Sequence, residues 1–463
     1  MRGAAPRAVS SASTCFGFCA GVTYVRVSPR PEPRAVTASA SPDPELLSCA
    51  IAGGYAGRWA RAQVRSTEPE GEAVEPSSAW FVDAFAGADL QRAAIRGVAV
   101  EAGGLASVRA MTDSVDRLRI VLADEDPGLL VRLEDELERL GMGGRVRRTR
   151  DVASIQPGEI GLVESSFPAL SAGLVDAISD SAALVRLAPL SARALPSTAL
   201  QTMASREETE LLLRFPAEDF HKQARVTGPI ADFPPNIRRL VEGCSALLGD
   251  GRHSWLSAWR DAVRRDGADA ALDEVVDRYR ELIVGAGEGR IVRTQRLGGV
   301  HLLLATFNPA HVLELNGAIA DGGVDPLPPA VIAAEPEPEL EPEVVEAPIA
   351  LDLFPVSPPP VEPKPRGADL RAVGDDLHAR HRGALVVYRD MLATLADSGL
   401  TPEQVREALS ILKREGRAAY RSLDAADAEI DFLLEPAAPA PPRKRKPRKV
   451  APGELGLFDI PDE

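Results

Sequence analysis

Apolar and polar positions fall into blocks that switch between two periods. Residues 79–82 are apolar, and the run ends in Asp83 and then turns on Gly87. A run this short, stopped by an acid and a glycine, predicts a buried strand that delivers its chain to the carboxyl edge of a sheet. The pattern returns at Leu118-Arg119-Ile120-Val121-Leu122-Ala123, followed by Asp124, Glu125 and Asp126. After it the period lengthens. Leu129, Leu130, Leu133, Leu137 and Leu140 share one helical face, with Glu and Arg opposite, and Gly141, Gly143 and Gly144 end the segment. Further strands are predicted at 145–149, 160–163, 183–187 and 211–215, with helices after Gly87 and at 172–178. Residues 45–64 read as a helix with Leu46, Leu47, Ile51 and Trp59 toward the core, and 97–108 as a short strand pair. Three helices at 235–248, 255–263 and 270–284 form an insertion, and a hairpin over 291–296 and 300–307 turns on Gly298-Gly299. Strands alternating with helices and closed by a hairpin predict an α/β fold, a mostly parallel doubly wound sheet with an antiparallel edge.

The pattern divides the chain into five parts. Residues 1–42 carry Arg, Ser and Ala with no acid before Glu32, and are expected to be a disordered N-terminus, either transit-peptide-like or upstream of the true start. Residues 43–325 make the α/β domain. Residues 326–365 are a Pro-rich acidic linker, self-repelling and extended. Residues 366–435 form a compact module. There Thr401-Pro402-Glu403-Gln404 supplies an N-cap, a first-turn proline and a capping-box glutamine, and Val405, Leu409 and Leu412 form the buried face. Two short strands predicted at 417–423 and 429–434 make the module winged-helix-like. Residues 436–463 are a disordered basic tail.

The net charge of −15 excludes a protein that is basic throughout, but the charge is unevenly placed. Cys15, Cys19, Cys49 and Cys244 form no CxxC pair, so neither a zinc knuckle nor a disulfide framework is expected, and free thiols suit a reducing, cytoplasmic setting. No apolar run approaches the roughly 20 residues of a membrane span. His378 and His381 stand three apart without a third ligand, so no metal site is expected. There is no serine elbow, P-loop or HExxH.

The block Phe81-Val82-Asp83-Ala84-Phe85-Ala86-Gly87 resembles the "DxFAGxG" start of the three-Cys-motif partner (TcmP) family. Leu247-Leu248-Gly249 with Trp255, Tyr279 and Thr306-Phe307-Asn308-Pro309 follow in the family's order. The resemblance spans about 45–435. It implies a Rossmann-like, methyltransferase-type sheet, and a separate radical-SAM-like partner that carries the three-cysteine motif, a motif this chain lacks.

A methyltransferase-like pocket implies S-adenosylmethionine. Asp83, Phe85 and Gly87 then lie at the methionine end, where a glycine lets backbone approach the ligand. Ala88-Asp89-Leu90 stands where a second small residue is expected. Asp124 or Glu125 would accept the ribose hydroxyls, Asp126 would cap the next helix, and Asp151 would meet the adenine amino group. The strand-four end carries Glu164-Ser165-Ser166-Phe167-Pro168. In a nucleic-acid methyltransferase Glu164 would orient the target amine and Phe167 would stack the base. The same residues equally suit a helix cap and a core position.

Arg443, Lys444, Arg445 and Lys446 begin a cationic run that reaches Lys449 and would attract phosphates without reading sequence. Arg406, Lys413, Arg414, Arg417 and Arg421 give the module a basic side suited to DNA. Ala350-Leu351-Asp352-Leu353-Phe354 and Glu454-Leu455-Gly456-Leu457-Phe458 resemble the bacterial sliding-clamp-binding peptide without its leading glutamine. Two functions follow as expectations. One is a TcmP-like protein with a degenerate S-adenosylmethionine-type pocket, acting on or near nucleic acid with a radical-SAM-like partner. The other is a non-catalytic DNA-associated adaptor that uses the module, the basic tail and the clamp-binding-like peptides.

Overall fold

The computed structural model describes residues 43–66, 79–96, 104–179, 181–223, 228–324, 369–423 and 428–434. Eleven strands and fourteen α-helices are assigned among them. The strands are β1 (Ala79–Asp83), β2 (Leu118–Asp124), β3 (Val146–Thr149), β4 (Ile160–Glu164), β5 (Ala183–Leu187), β6 (Thr209–Arg214), β7 (Ile291–Leu297), β8 (Val300–Thr306), β9 (Leu385–Val387), β10 (Ala418–Ala419) and β11 (Glu429–Phe432). The helices are α1 (Pro44–Ser66), α2 (Ala86–Arg96), α3 (Gly104–Ala110), α4 (Pro127–Arg139), α5 (Phe167–Ile178), α6 (Ser197–Ala204), α7 (Ala217–His221), α8 (Pro235–Leu247), α9 (Trp255–Asp266), α10 (Ala268–Val284), α11 (Pro309–Asp321), α12 (Leu370–His381), α13 (Tyr388–Thr394) and α14 (Pro402–Arg414).

The first eight strands form one sheet in the order β3-β4-β2-β1-β5-β6-β8-β7. The six from β3 to β6 are parallel, and the β7–β8 hairpin adds an antiparallel edge against β6. This is a mixed α/β architecture built on a mainly parallel, doubly wound sheet. Alternation along the strands builds two cores. Trp80, Val82, Val121, Val163, Val185, Leu211 and Leu213 face α5, α6 and α8–α10, where Trp255, Trp259 and Tyr279 are buried. Phe81, Ile120, Leu122, Leu162, Leu184, Leu212 and Leu304 face α1, α4 and α11, where Trp59, Leu133 and Leu137 are buried. Strands buried on both faces explain why these runs read as continuous apolar stretches.

Two expectations are corrected. Part of the span expected as a strand pair, from residue 104 onward, is α3, because Leu105 and Val108 bury against α1. Gly53 and Gly57 let the two helices close together: a Cβ at Gly57 would lie 2.8 Å from the Ala110 carbonyl oxygen. Leu46 is not a core contact but is exposed.

The C-terminal elements run helix, strand, helix, helix, strand, strand, and the strands form an antiparallel sheet in the order β10-β11-β9. The Thr401 capping box forms as its residues dictate, with Gln404 donating its N–H to the threonine and accepting the Thr401 N–H. Leu377, Met391, Val405, Leu409, Leu412, Ile430 and Phe432 make a third core. Val312 and Leu313 of α11 belong to that core, so the module is seated on the α/β domain. No helix among the described residues is long and apolar enough to cross a membrane.

Candidate functional site

A doubly wound sheet binds ligands where its strand order reverses, at the carboxyl ends of the strands. Here that point lies between β1 and β5. β1 pairs with β2 on one side and β5 on the other. The strand beside β1 is therefore β5, not β4. β4 lies outside β2, and Glu164 stands in register with Asp124.

Asp83 ends β1 with its side chain fully buried. It accepts the Phe85 N–H at 3.1 Å. Arg186, its register partner on β5, donates to Asp83 at 2.6 Å and to Asp89 at 2.5 Å. Arg92 donates to Asp89 at 2.6 Å and to the carbonyls of Ala188 and Pro189, which follow β5. Two acids and two guanidiniums thus fill the crevice and tie α2 to the end of β5. Burial pushes the Asp83 carboxyl up against the pull of Arg186. At Asp89 burial also opposes charge, but Arg186 and Arg92 outweigh it and hold the carboxyl below its usual range. The roof is equally close: a Cβ on Gly104, at the start of α3, would lie 2.2 Å from the Asp83 carboxylate.

The neighbouring position is also occupied. Asp124 accepts the Gly87 N–H at 3.0 Å and the Asp126 N–H at 2.9 Å. A Cβ on Gly87 would lie 2.6 Å from both the Asp124 carboxylate and Leu129 Cβ. Gly87 is thus required by contacts inside the protein. Burial raises the Asp124 carboxyl, and the two N–H donors moderate the rise. Glu125 is exposed, and Asp126 caps α4 through the Gly128 N–H at 2.8 Å.

The remaining predicted site residues are dispersed. Asp151 follows the edge strand β3, accepts the Ala153 N–H at 3.0 Å and caps a turn. Three strand spacings, roughly 14 Å, separate β3 from β1, so Asp151 does not face the crevice. Phe167 is buried, with its ring 5.9 Å from that of Phe85, and offers no free face for a base. Leu90, within α2, is buried. Glu164 remains exposed at the carboxyl edge. A cleft of about 740 Å³ lies elsewhere, between α1, α3 and the end of α4, lined by Gly53, Gly54, Leu105, Arg109, Arg139 and Leu140. Asp83 and Asp124, the strand-end acids expected to meet an adenosyl ligand, are engaged inside the protein, and Arg186, Asp89 and Arg92 fill the crevice beside Asp83, while Glu125 stays outward.

On the module, Arg417 pairs with Asp375 and Glu415. Lys413 donates to the Tyr420 carbonyl at 2.7 Å and lies 4.1 Å from that ring's centre. Arg406 hydrogen-bonds Tyr388, and Arg414 bonds the Ser410 carbonyl. The N-terminal end of α14 is docked. Asn316 donates to the Leu400 carbonyl at 2.9 Å, and Arg58 bridges Glu403 at 3.3 Å, Glu314 at 2.9 Å and Asp321 at 3.0 Å. β11 exposes Glu429 and Asp431. Arg443, Lys444, Arg445, Lys446 and both Leu-x-Leu-Phe peptides lie outside the described residues. Among the described residues no three His, Cys, Asp or Glu side chains gather as a metal site.

Arg186 and Arg92 went unpredicted. Their one signal was an isolated cation inside the apolar run Ala183-Leu184-Val185-Arg186-Leu187.

This arrangement defines a mainly parallel, doubly wound α/β sheet whose crevice is filled by its own charged side chains. No family model and no curated protein matches the chain. Among solved structures it is similar to a proposed sarcosine dimethylglycine methyltransferase from Galdieria sulphuraria, at 9% identity over 54% of this chain and 82% of that one. The TM-score of that superposition is 0.21, too low to bear on the fold or the site.

Proposed function

We propose that the chain is a non-catalytic adaptor built on a methyltransferase-type sheet, akin to the three-Cys-motif partner proteins. The observation that carries the reading is the Asp83–Arg186–Asp89–Arg92 network. A ligand entering the crevice must separate buried, hydrogen-bonded ions, and breaking such a pair costs roughly 3–5 kcal/mol. The module, with a winged-helix order of elements, acts as a fixed part of the body. Contact with nucleic acid falls to the cationic tail run from Arg443 and to the outward Arg406, Arg414 and Arg421. The partner remains a radical-SAM-like protein.

Titration calorimetry and thermal shift with S-adenosylmethionine test the reading. Occupancy at 100 times the Kd would stabilise the fold by about 2.7 kcal/mol, so a competent site gives a clear shift. The expected result is no heat and no shift at millimolar cofactor. Saturable heat would restore the catalytic alternative, a methyltransferase acting near nucleic acid.

A further inference from the structure

We propose that the open edge of the small C-terminal sheet takes the chain's own tail, residues 454–459, as an added strand. β9 is the outer strand of that sheet. Val386 pairs with Ile430, Phe432 donates its N–H to the Ala384 carbonyl, and Tyr388 donates its N–H to Ala428. From Ala384 to Tyr388 the even-numbered residues thus bond inward, and in the turn before them Gly383 donates its N–H to the Phe432 carbonyl. Antiparallel alternation leaves the N–H and C=O of Leu385 and Val387 on the outer edge.

The edge is also apolar. Leu385 is 63% exposed and Leu434 is 65% exposed. A Cβ on Gly383 would lie 2.7 Å from Leu434 Cδ2. Leu434 thus lies over Gly383, in the turn that leads into β9, at the Leu385 end of the exposed edge. The exposed Arg382 and Arg389 flank the strand, and Asp431 stands one strand in on the Leu385 face.

Length, chemistry and charge select the occupant. Beyond Leu434 the tail is rich in proline, arginine and lysine until residues 453–460, which hold no proline and read Gly-Glu-Leu-Gly-Leu-Phe-Asp-Ile. Proline cannot donate to a ladder, so this stretch is the one suited to pair. Leu455 and Leu457 alternate onto one face and match the exposed leucines, while Glu454 and Asp459 match the flanking arginines. About 20 residues of tether give a mean span of roughly 25 Å, ample for the return. A short tether sets an effective concentration near the millimolar range, so a peptide with a Kd of about 100 μM would be docked about nine-tenths of the time.

The test is hydrogen exchange at the Leu385 and Val387 amides in the full chain, against a Leu455→Asp/Leu457→Asp variant. Exchange is expected to be about tenfold slower in the wild type. A synthetic peptide of residues 453–463 should restore slow exchange to the variant and fail to do so when Leu385→Asp is added. Equal exchange in both chains overturns the proposal. So does protection that persists in the variant and rises with protein concentration as the mass doubles, which would assign the edge to a second copy.

Discussion

Arg186 stands across from Asp83 in the parallel register of β5 and β1, and the two side chains meet at 2.6 Å out of reach of solvent. Replacing the arginine with alanine leaves Asp83 buried without its cation and Asp89 with Arg92 alone. Arg186→Ala is expected to cost about 3–5 kcal/mol in urea unfolding. Arg186→Lys should recover little, because one ammonium cannot bridge both acids as the guanidinium fork does. A loss below about 1 kcal/mol would mean that the network does not hold the crevice shut.

Gly87→Ala forces a methyl against Asp124 and Leu129. The expected loss is about 1–3 kcal/mol in the same assay, from overpacking alone. Gly144→Ala is the matched control, since nothing lies within 4 Å of its Cβ position. Equal, small effects at the two sites would contradict the close approach at Gly87.

Arg58→Ala combined with Asn316→Ala removes the polar ties between α14 and the α/β domain. Losing the buried Asn316 bond to the Leu400 carbonyl is expected to cost about 1 kcal/mol, and losing the exposed Arg58–Glu403 pair only about 0.2–1 kcal/mol. Limited proteolysis should then cut residues 395–401 faster than in the wild type while β1–β6 stay protected. Unchanged cleavage would show that the apolar contacts with Val312 and Leu313 hold the module unaided.

His311 hydrogen-bonds Glu210, which also accepts the Tyr55 hydroxyl at 2.6 Å. Burial pulls the imidazole down, but Glu210 and then Glu314 push it above its ordinary value. A raised histidine gives its full stabilisation below about pH 6.5, where the unfolded residue is charged, and loses it as pH rises through the folded value. The stability gap between wild type and His311→Gln should therefore narrow from pH 5.5 to 8.5 in urea titrations. A gap that widens over that range would reverse the assignment.

The sheet was largely legible, because strands buried on both faces announce themselves as apolar runs. The carboxylates of Asp83 and Asp124 could be placed at one edge for the same reason. Strand order was not legible. β4 and β5 are both five-residue, largely apolar segments, and nothing in their patterns says that β4 pairs with β2 while β5 pairs with β1. Nor could the occupant of the crevice be foreseen. A single arginine in a strand looks like an edge residue until the register sets an aspartate opposite it. The small residues ahead of α3 mimic a turn, and only packing against Gly53 and Gly57 makes a helix there.

Residues 325–368 leave the end of α11 and lead to α12, whose module rests on α11 itself. Loop closure depends only weakly on length, with each doubling costing about 0.6 kcal/mol. Insertion of a reporter domain into 326–365 should accordingly be tolerated. A nick in the same stretch should yield two fragments that remain associated, so the protein lends itself to split complementation at this point.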